Sequence, residues 1–340
     1  MGKPVKVKKD NYNFINIIAV IACLSVIVVI LTVLFASYIF DKTSEPAGEQ
    51  SRVESSAEDS SAASSEDEGS DQSEDSSESD TVSDTSSEVS DPGGYVYVPF
   101  EFNAIHSGDL IVVNNDYQYD FNQNAPLVSI YENRTGNYKL IDGSLKISSS
   151  IITSLNEMLD GLYGAVGSNS LTLTVAYRDS AEQQAVYDQG KDTAIGGGSD
   201  LHTGLSFKCT VYPSSDGSLT EGKFLWLAEN CKYYGFVLRY PEGKTSITDY
   251  DASPNFFRYV GKPHAYLMTL NQYCLEEYID FCRRFSYENQ YKVEYDGVKY
   301  AIYYCEAASS GITQVKIPEG AEYTVSGDNS SGFIVTVTLS

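Results

Sequence analysis

Ser199-Asp200-Leu201-His202-Thr203-Gly204-Leu205-Ser206-Phe207-Lys208 is the stretch from which the fold is read, and it follows a glycine run at 196–198. The elements on either side declare themselves by hydrophobic period. Upstream, residues 171–176 (LTLTVA) alternate and are β-branched, which predicts a strand running into Tyr177 and Arg178. A helix is expected over 180–187, and a longer one over 149–166, where apolar residues fall at 151, 152, 155, 158, 159 and 162 with serines available as caps. Downstream, 220–234 reads as a helix with Thr220 as N-cap and Gly235 as its stop, with Phe224, Leu227 and Cys231 on one face. Strands are then expected at 235–240 and 256–260 and a helix over 263–284. Further out lie a strand at 110–114 after the Gly108-Asp109 turn, and a hairpin around Asp296-Gly297 followed by strands at 311–318 and 331–339. Strands and helices mix without a regular βαβ alternation, so the fold class is α+β.

Four of these segments, in order, resemble the VanY-type zinc D-alanyl-D-alanine carboxypeptidase family. Ala176-Tyr177-Arg178, with Gln183, Gln184 and Tyr187 behind it, is similar to the S-G-Y-R motif and its helix. The opening stretch is similar to S-x-H-x-x-G-x-A-x-D, and 234–241 (YGFVLRYP) to the third motif. Residues 253–261 (SPNFFRYVG), followed by His264-Ala265 and Leu275-Glu276-Glu277-Tyr278, are similar to E-P-W-H-F-R-Y-V-G and its trailing helix. The resemblance implies a mixed small sheet with flanking helices. It also implies a site with two His and one Asp zinc ligands and a Glu general base. In this chain Leu201 stands at the first His, Lys208 at the Asp, Phe256 at the second His and Ser253 at the Glu. Leucine and phenylalanine have no lone pair to give. A lysine ammonium beside a dication costs several kcal/mol even at an effective dielectric of about 20. No catalytic residue and no metal ligand is therefore intact, and the expected cofactor is none. Zinc returns only if displaced ligands serve: His202, one residue late, with Cys209 seven after it and a carboxylate from Asp249 or Asp251.

The positions that would hold substrate survive better. Arg178 matches the arginine that the resemblance aims at the scissile region, where a guanidinium forks onto a carboxylate or carbonyl. Tyr177, Gln183, Ser199, His202 and Thr203 are the neighbouring polar candidates, and Lys208 adds a cation near the metal position.

Of the 340 residues, 42% are hydrophobic and 21% charged, enough for one or two domains with a core. Residues 11–40 are uncharged and almost wholly apolar from 17 to 35, matching about 20 residues for a bilayer of about 30 Å. Lys3, Lys6, Lys8 and Lys9 precede the span and Asp41, Glu45 and Glu49 follow it, which puts the N-terminus in the cytoplasm. Residues 41–92 hold 17 Ser and 17 acids with no aromatic residue, the composition of a disordered, self-repelling tether. The predicted organisation is 1–13 cytoplasmic tail, 14–40 transmembrane helix, 41–92 linker, 93–285 VanY-like domain and 286–340 an all-β C-terminal appendage. Net charge of -24 opposes nucleic acid. Outside the span lie five cysteines, an odd number with no metal spacing; Cys209 and Cys231 are the first pair to consider for a bridge, against buried free thiols.

The expected function is that of a cell-membrane protein with its C-terminal domain outside, catalytically inactive, binding peptidoglycan stem peptides or acting as a scaffold or regulator. An active zinc carboxypeptidase and a purely structural envelope protein are the alternatives.

Overall fold

The computed structural model describes residues 94–123 and 125–339. The predicted tail, span and linker (1–92) lie outside the described residues, among which no helix is long and apolar enough to cross a membrane.

A five-stranded mixed sheet forms the centre, in the order β3 (Lys139–Leu140), β5 (Leu171–Val175), β6 (Ser206–Val211), β8 (Ser253–Tyr259), β7 (Phe236–Tyr240). Only the β3–β5 pair is parallel. β-Strand alternation divides β6 and β8 between two faces. Phe207, Cys209 and Phe257 enter the main core, where they meet Leu155, Met158, Leu159 and Leu162 of α1 (Ile152–Val166). Ser206, Lys208, Phe256 and Arg258 therefore point to the opposite face, and the register pairs Ser206 with Arg258 and Lys208 with Phe256. That second face carries the site. β2 (Leu127–Ser129) and β4 (Lys146–Ser148) form a two-stranded ribbon at its side.

The short helix α2 (Ser180–Asp188) begins with a capping box in which Asp179 accepts from the Glu182 N–H and Glu182 accepts from the Asp179 N–H. The helix expected over 263–284 is two, α3 (Lys262–Asn271) and α4 (Leu275–Cys282), because Gln272 turns left-handed at φ 56° and Glu277 re-caps the chain at the Cys274 N–H. The helix expected over 220–234 is a run of three short turns, Gly222–Leu225, Trp226–Asn230 and Cys231–Tyr234, and Thr220 does not cap it. Gly235 does end it, at φ 86°, where a Cβ would lie 2.7 Å from the Tyr259 ring. The serines before α1 supply no side-chain cap to it either.

Residues 110–113 are buried and Asn114 partly so, but 110–114 do not form a strand. Side chains, not a ladder, meet much of that backbone: Ser326 accepts from the Leu110 N–H, Arg258 donates to the Ile111 carbonyl and Asn329 to the Val112 carbonyl.

The β-rich part is an antiparallel sheet in the order β12 (Tyr323–Gly327), β13 (Gly332–Leu339), β10 (Val298–Glu306), β9 (Tyr291–Tyr295). Asp296 and Gly297, both at positive φ, make the expected two-residue hairpin. It is not only C-terminal: β1 (Tyr95–Glu101), from the start of the predicted VanY-like domain, pairs over seven residues with β11 (Ile312–Pro318). Cys209, Cys231, Cys274, Cys282 and Cys305 are all free, so Cys209 and Cys231 are two thiols of the main core and not a bridge.

Candidate functional site

Of the four positions at which the resemblance places zinc ligands and general base, Leu201, Lys208 and Phe256 are brought together, whereas Ser253 lines a separate cleft with Cys209 and Thr210. Leu201 sits on the helical turn Asp200–Thr203, held by Ser199, which accepts from the Leu201 N–H, and closed by Gly204 at φ 67°. It packs with Phe256 and Tyr240, all buried, and with Val175 and Tyr250 at the edge. The tyrosine rings of 240 and 250 stack at 4.0 Å, and Phe256 meets Tyr240 edge-on at 5.0 Å. Lys208, opposite Phe256 in the ladder, lays its ammonium 4.8 Å from the Phe256 ring and 5.5 Å from the Tyr250 ring. The same ammonium donates to the Tyr250 hydroxyl at 3.1 Å and stands 3.7 Å from the Asp192 carboxylate. Burial pushes the Lys208 ammonium below its ordinary value, and Asp192 opposes that shift.

Zinc does not fit this arrangement. It requires thiolate, imidazole or carboxylate donors, and the groups here are an isobutyl, three aromatic rings and a cation, with a single carboxylate, Asp192, paired to that cation. The Ser253 hydroxyl is turned to the Asn255 amide oxygen at 2.8 Å. Among the described residues no group of three or more His, Cys, Asp and Glu is placed to hold a metal ion. The displaced set does not converge. His202 Nδ1 bonds to the Arg178 carbonyl at 2.6 Å and Nε2 accepts from the Gly197 N–H at 3.0 Å, so both nitrogens are committed. Cys209, by alternation, lies on the other face of the sheet, inside the main core. Asp249 and Asp251 are exposed.

The substrate-binding candidates divide into two groups. Gln183 is fully buried, donates to the Ala194 carbonyl and accepts from Arg178 Nη1 at 2.7 Å. Thr203, also buried, donates to the Asp200 carbonyl and accepts from the Leu205 N–H. Together with Ser199 and His202 they hold the backbone of the turn. Arg178 and Lys208 remain partly exposed, with side chains 16% and 18% accessible, and both reach Asp192, at 3.9 and 3.7 Å. Tyr177 is half-buried, its phenol pushed up by burial and by Asp179. The site face is thus two cations around one carboxylate, a net charge of one.

Asp192 was not singled out in the sequence, and neither was the network behind the plug. The wholly buried Asp200 accepts from Arg239 Nε at 3.2 Å, from Arg258 Nη1 at 2.6 Å and from the Ser206 hydroxyl. Arg239 continues as a two-pronged pair to Glu276 at 3.0 and 2.7 Å, and Arg258 donates to the Asp109 and Ile111 carbonyls. Burial alone would raise the Asp200 carboxyl. Arg258, Arg239 and Ser206 outweigh it and hold the group below its ordinary value. The signal in the sequence was an arginine at a buried alternation position of two aromatic-rich strands, 236–240 and 253–259.

Comparison with known proteins agrees with the fold. The VanY family of D-alanyl-D-alanine carboxypeptidases matches residues 144–262. A D-alanyl-D-alanine carboxypeptidase of Enterococcus faecium is 32% identical over 239 residues, 68% of this chain and 76% of that protein. The bifunctional D-Ala-D-Ala dipeptidase and carboxypeptidase VanXYC of Enterococcus gallinarum is 31% identical over 127 residues, 33% of this chain and 67% of its own. In structure, the vancomycin resistance D,D-dipeptidase VanXYg, solved with a D-Ala-D-Ala phosphinate analogue, superposes with a TM-score of 0.63 at 27% identity, over 72% of this chain and 99% of that one. At 32% identity over 76% of the Enterococcus faecium protein, and with the family's model matched over 144–262, the chain belongs to the VanY-type D-alanyl-D-alanine carboxypeptidase family.

Proposed function

We propose that this protein is a non-hydrolysing member of its family that binds peptidoglycan stem peptides, held at the outer side of the cell membrane by residues 14–40. The observation that carries this reading is the cation at the metal position: Lys208 lies among Phe256, Tyr250 and Asp192 where the family pattern has a zinc-binding Asp. A fixed ammonium attracts the terminal carboxylate of a peptide but generates no nucleophile from water, which is the task of the metal in such hydrolases. The ligand class follows from the relatives, whose named substrates and bound analogue are D-Ala-D-Ala compounds.

On binding, the peptide carboxylate exchanges with Asp192 as partner of Arg178 and Lys208. Each charge-assisted bond is worth about 1.5–3 kcal/mol, and ordering the stem offsets part of that, so a dissociation constant on the order of micromolar to millimolar is expected. The test has two arms on the purified whole chain. Metal analysis and D-alanine release should both give blank values. Titration with pentapeptide muropeptides should give saturable binding that Arg178→Ala and Lys208→Ala each weaken, more so at low salt. Chelator-sensitive D-alanine release would overturn the non-hydrolysing reading. No binding at millimolar peptide would overturn the receptor reading and leave a scaffold.

A further inference from the structure

A cavity of about 580 Å³, within the range of small-molecule sites, lies away from the plug, in the seam between the peptidase core and the β-rich sheet. One wall is a sheet face. Register pairs Tyr300 with Thr338 and Thr324 with Thr336, and strand alternation sends these four side chains to the same side. That wall is lined with hydroxyls where a packed sheet face is usually aliphatic. The Thr336 hydroxyl is bonded to His264 Nε2 at 3.0 Å, whereas those of Tyr300, Thr324 and Thr338 have no partner among the described residues.

Asp109 stands on the opposite wall. Its position is fixed by its neighbours. Gly108, at φ 111°, presses against β12 so closely that a Cβ would fall 2.7 Å from the Ser326 Cα. The Leu110 N–H is bonded to the Ser326 hydroxyl at 2.8 Å, and the Asp109 carbonyl takes a bond from Arg258. The carboxylate itself has no hydrogen-bond or ion-pair partner among the described residues. Burial raises its carboxyl above the ordinary value, and Arg258 compensates only in part. Asp109 lines this cavity and the smaller one beside Tyr119, and a half-buried carboxylate without a donor is a group that a ligand hydroxyl would satisfy. The charges at the rim, Asp109 and Glu322 against Lys262, favour neither a strong anion nor a strong cation.

From this juxtaposition we infer that the seam cavity binds a saccharide, whose hydroxyls donate to Asp109 and exchange bonds with Thr324 and Thr338 while its C–H face packs on the Tyr300 ring. The site is separate from Arg178 and Lys208 and stands whether or not a stem peptide binds there.

Two neutral disaccharide probes, N,N′-diacetylchitobiose and cellobiose, test it by titration of the whole chain followed by heat or amide shifts. At least one should saturate with a dissociation constant on the order of 0.1–10 mM. Asp109→Asn should weaken it about tenfold, as expected for loss of a charged acceptor. The double change Thr324→Val and Thr338→Val alters only the wall and gives a second reading if Asp109→Asn lowers the yield of folded protein; it too should weaken binding. Binding of a sugar-free stem pentapeptide by the Arg178 face should stay as in the parent. No response to either disaccharide at about 20 mM, near the weakest affinity of interest, would overturn the inference. So would unchanged affinity in folded Asp109→Asn or in the double variant.

Discussion

Along β6 and β8, two cross-strand pairs on the same sheet face do different work. The pair Lys208–Phe256 stands where the resemblance places a metal ligand on each strand, and offers a cation and an aromatic ring there. The next pair but one, Ser206–Arg258, still feeds the buried Asp200, which in turn holds Arg239 and, through it, Glu276. The difference is one of what a single change leaves behind. Losing a metal donor leaves a gap that Leu201, Tyr240 and Phe256 close with apolar contact. Losing one member of a buried ion network leaves an uncompensated charge in the protein interior, which costs several kcal/mol. Retention of the family's arginines therefore speaks for the scaffold and says nothing about turnover.

Reversing the loss is the strongest way to break that comparison. Leu201→His, Lys208→Asp, Phe256→His and Ser253→Glu together should give a protein that binds one equivalent of zinc with micromolar affinity or better, about 8 kcal/mol, where the parent binds none. Equilibrium dialysis with metal analysis reads it. A folded quadruple variant without metal would mean that the plugged positions do not converge as the ladder indicates.

Next in size is the network. Asp200→Ala strands two buried guanidiniums and should lower unfolding free energy by about 3–5 kcal/mol, measured by urea denaturation. Leu201→Met, at a buried apolar contact of the plug, should cost less than about 1.5 kcal/mol. Equal losses at the two sites would erase the distinction drawn above.

A third test uses His264, which joins α3 to α4 through the Tyr278 hydroxyl at 2.7 Å and to β13 through Thr336. Burial lowers its pKa to about 4, against about 6.5 in the unfolded chain. The unfolded state thus binds the proton first. Stability is complete above pH 6.5 and falls as pH drops from 6.5 to about 4, by about 3 kcal/mol in all. His264→Gln keeps a donor and an acceptor for the two hydroxyls and should flatten that part of the profile. An unchanged slope would show that other groups set the acid limb.

How far the sequence carried can be judged from particular elements. β5, β7, β8, α1 and the Asp296-Gly297 hairpin were legible because each is specified locally, by period and turn chemistry. The break between α3 and α4 was not, since 263–284 keeps helical composition through Gln272 and only the backbone shows the left-handed residue. Residues 110–114 have a strand's composition but are bonded by Arg258, Ser326 and Asn329, all more than 140 positions away. The β1–β11 pairing spans a similar distance. At the site, motif spacing singled out Leu201, Lys208 and Phe256, which the fold does bring into contact around Tyr240 and Tyr250. It did not reveal Asp192, because a lone acid in a polar loop carries no periodic signal, nor that Ser199, Thr203, Gln183 and His202 are spent on the turn.

The smallest effect separates Lys208 as a tolerated cation from Lys208 as a stabilising one. Its ammonium is lowered by burial, with Asp192 in opposition, so the native state gives up the proton at lower pH than the unfolded chain, where lysine titrates near 10.4. Stability should accordingly rise with pH between the two values. In Lys208→Met that rise is missing. At neutral pH the change removes a desolvated charge but leaves Arg178, at 3.9 Å, as the remaining cation beside Asp192, and these effects offset one another to within about 1 kcal/mol. Burial raises the Tyr240 and Tyr250 phenols, and losing the Lys208 cation would raise Tyr250 further. These two therefore titrate from pH 7 to 10.5 only in the unfolded chain, in parent and variant alike, and the difference between the two denaturation profiles isolates the lysine. A flat difference would mean that Asp192 fully neutralises the cost of burial and that Lys208 is a paired structural charge. A difference that grows with pH would leave its ammonium as the poorly compensated group that an incoming carboxylate relieves.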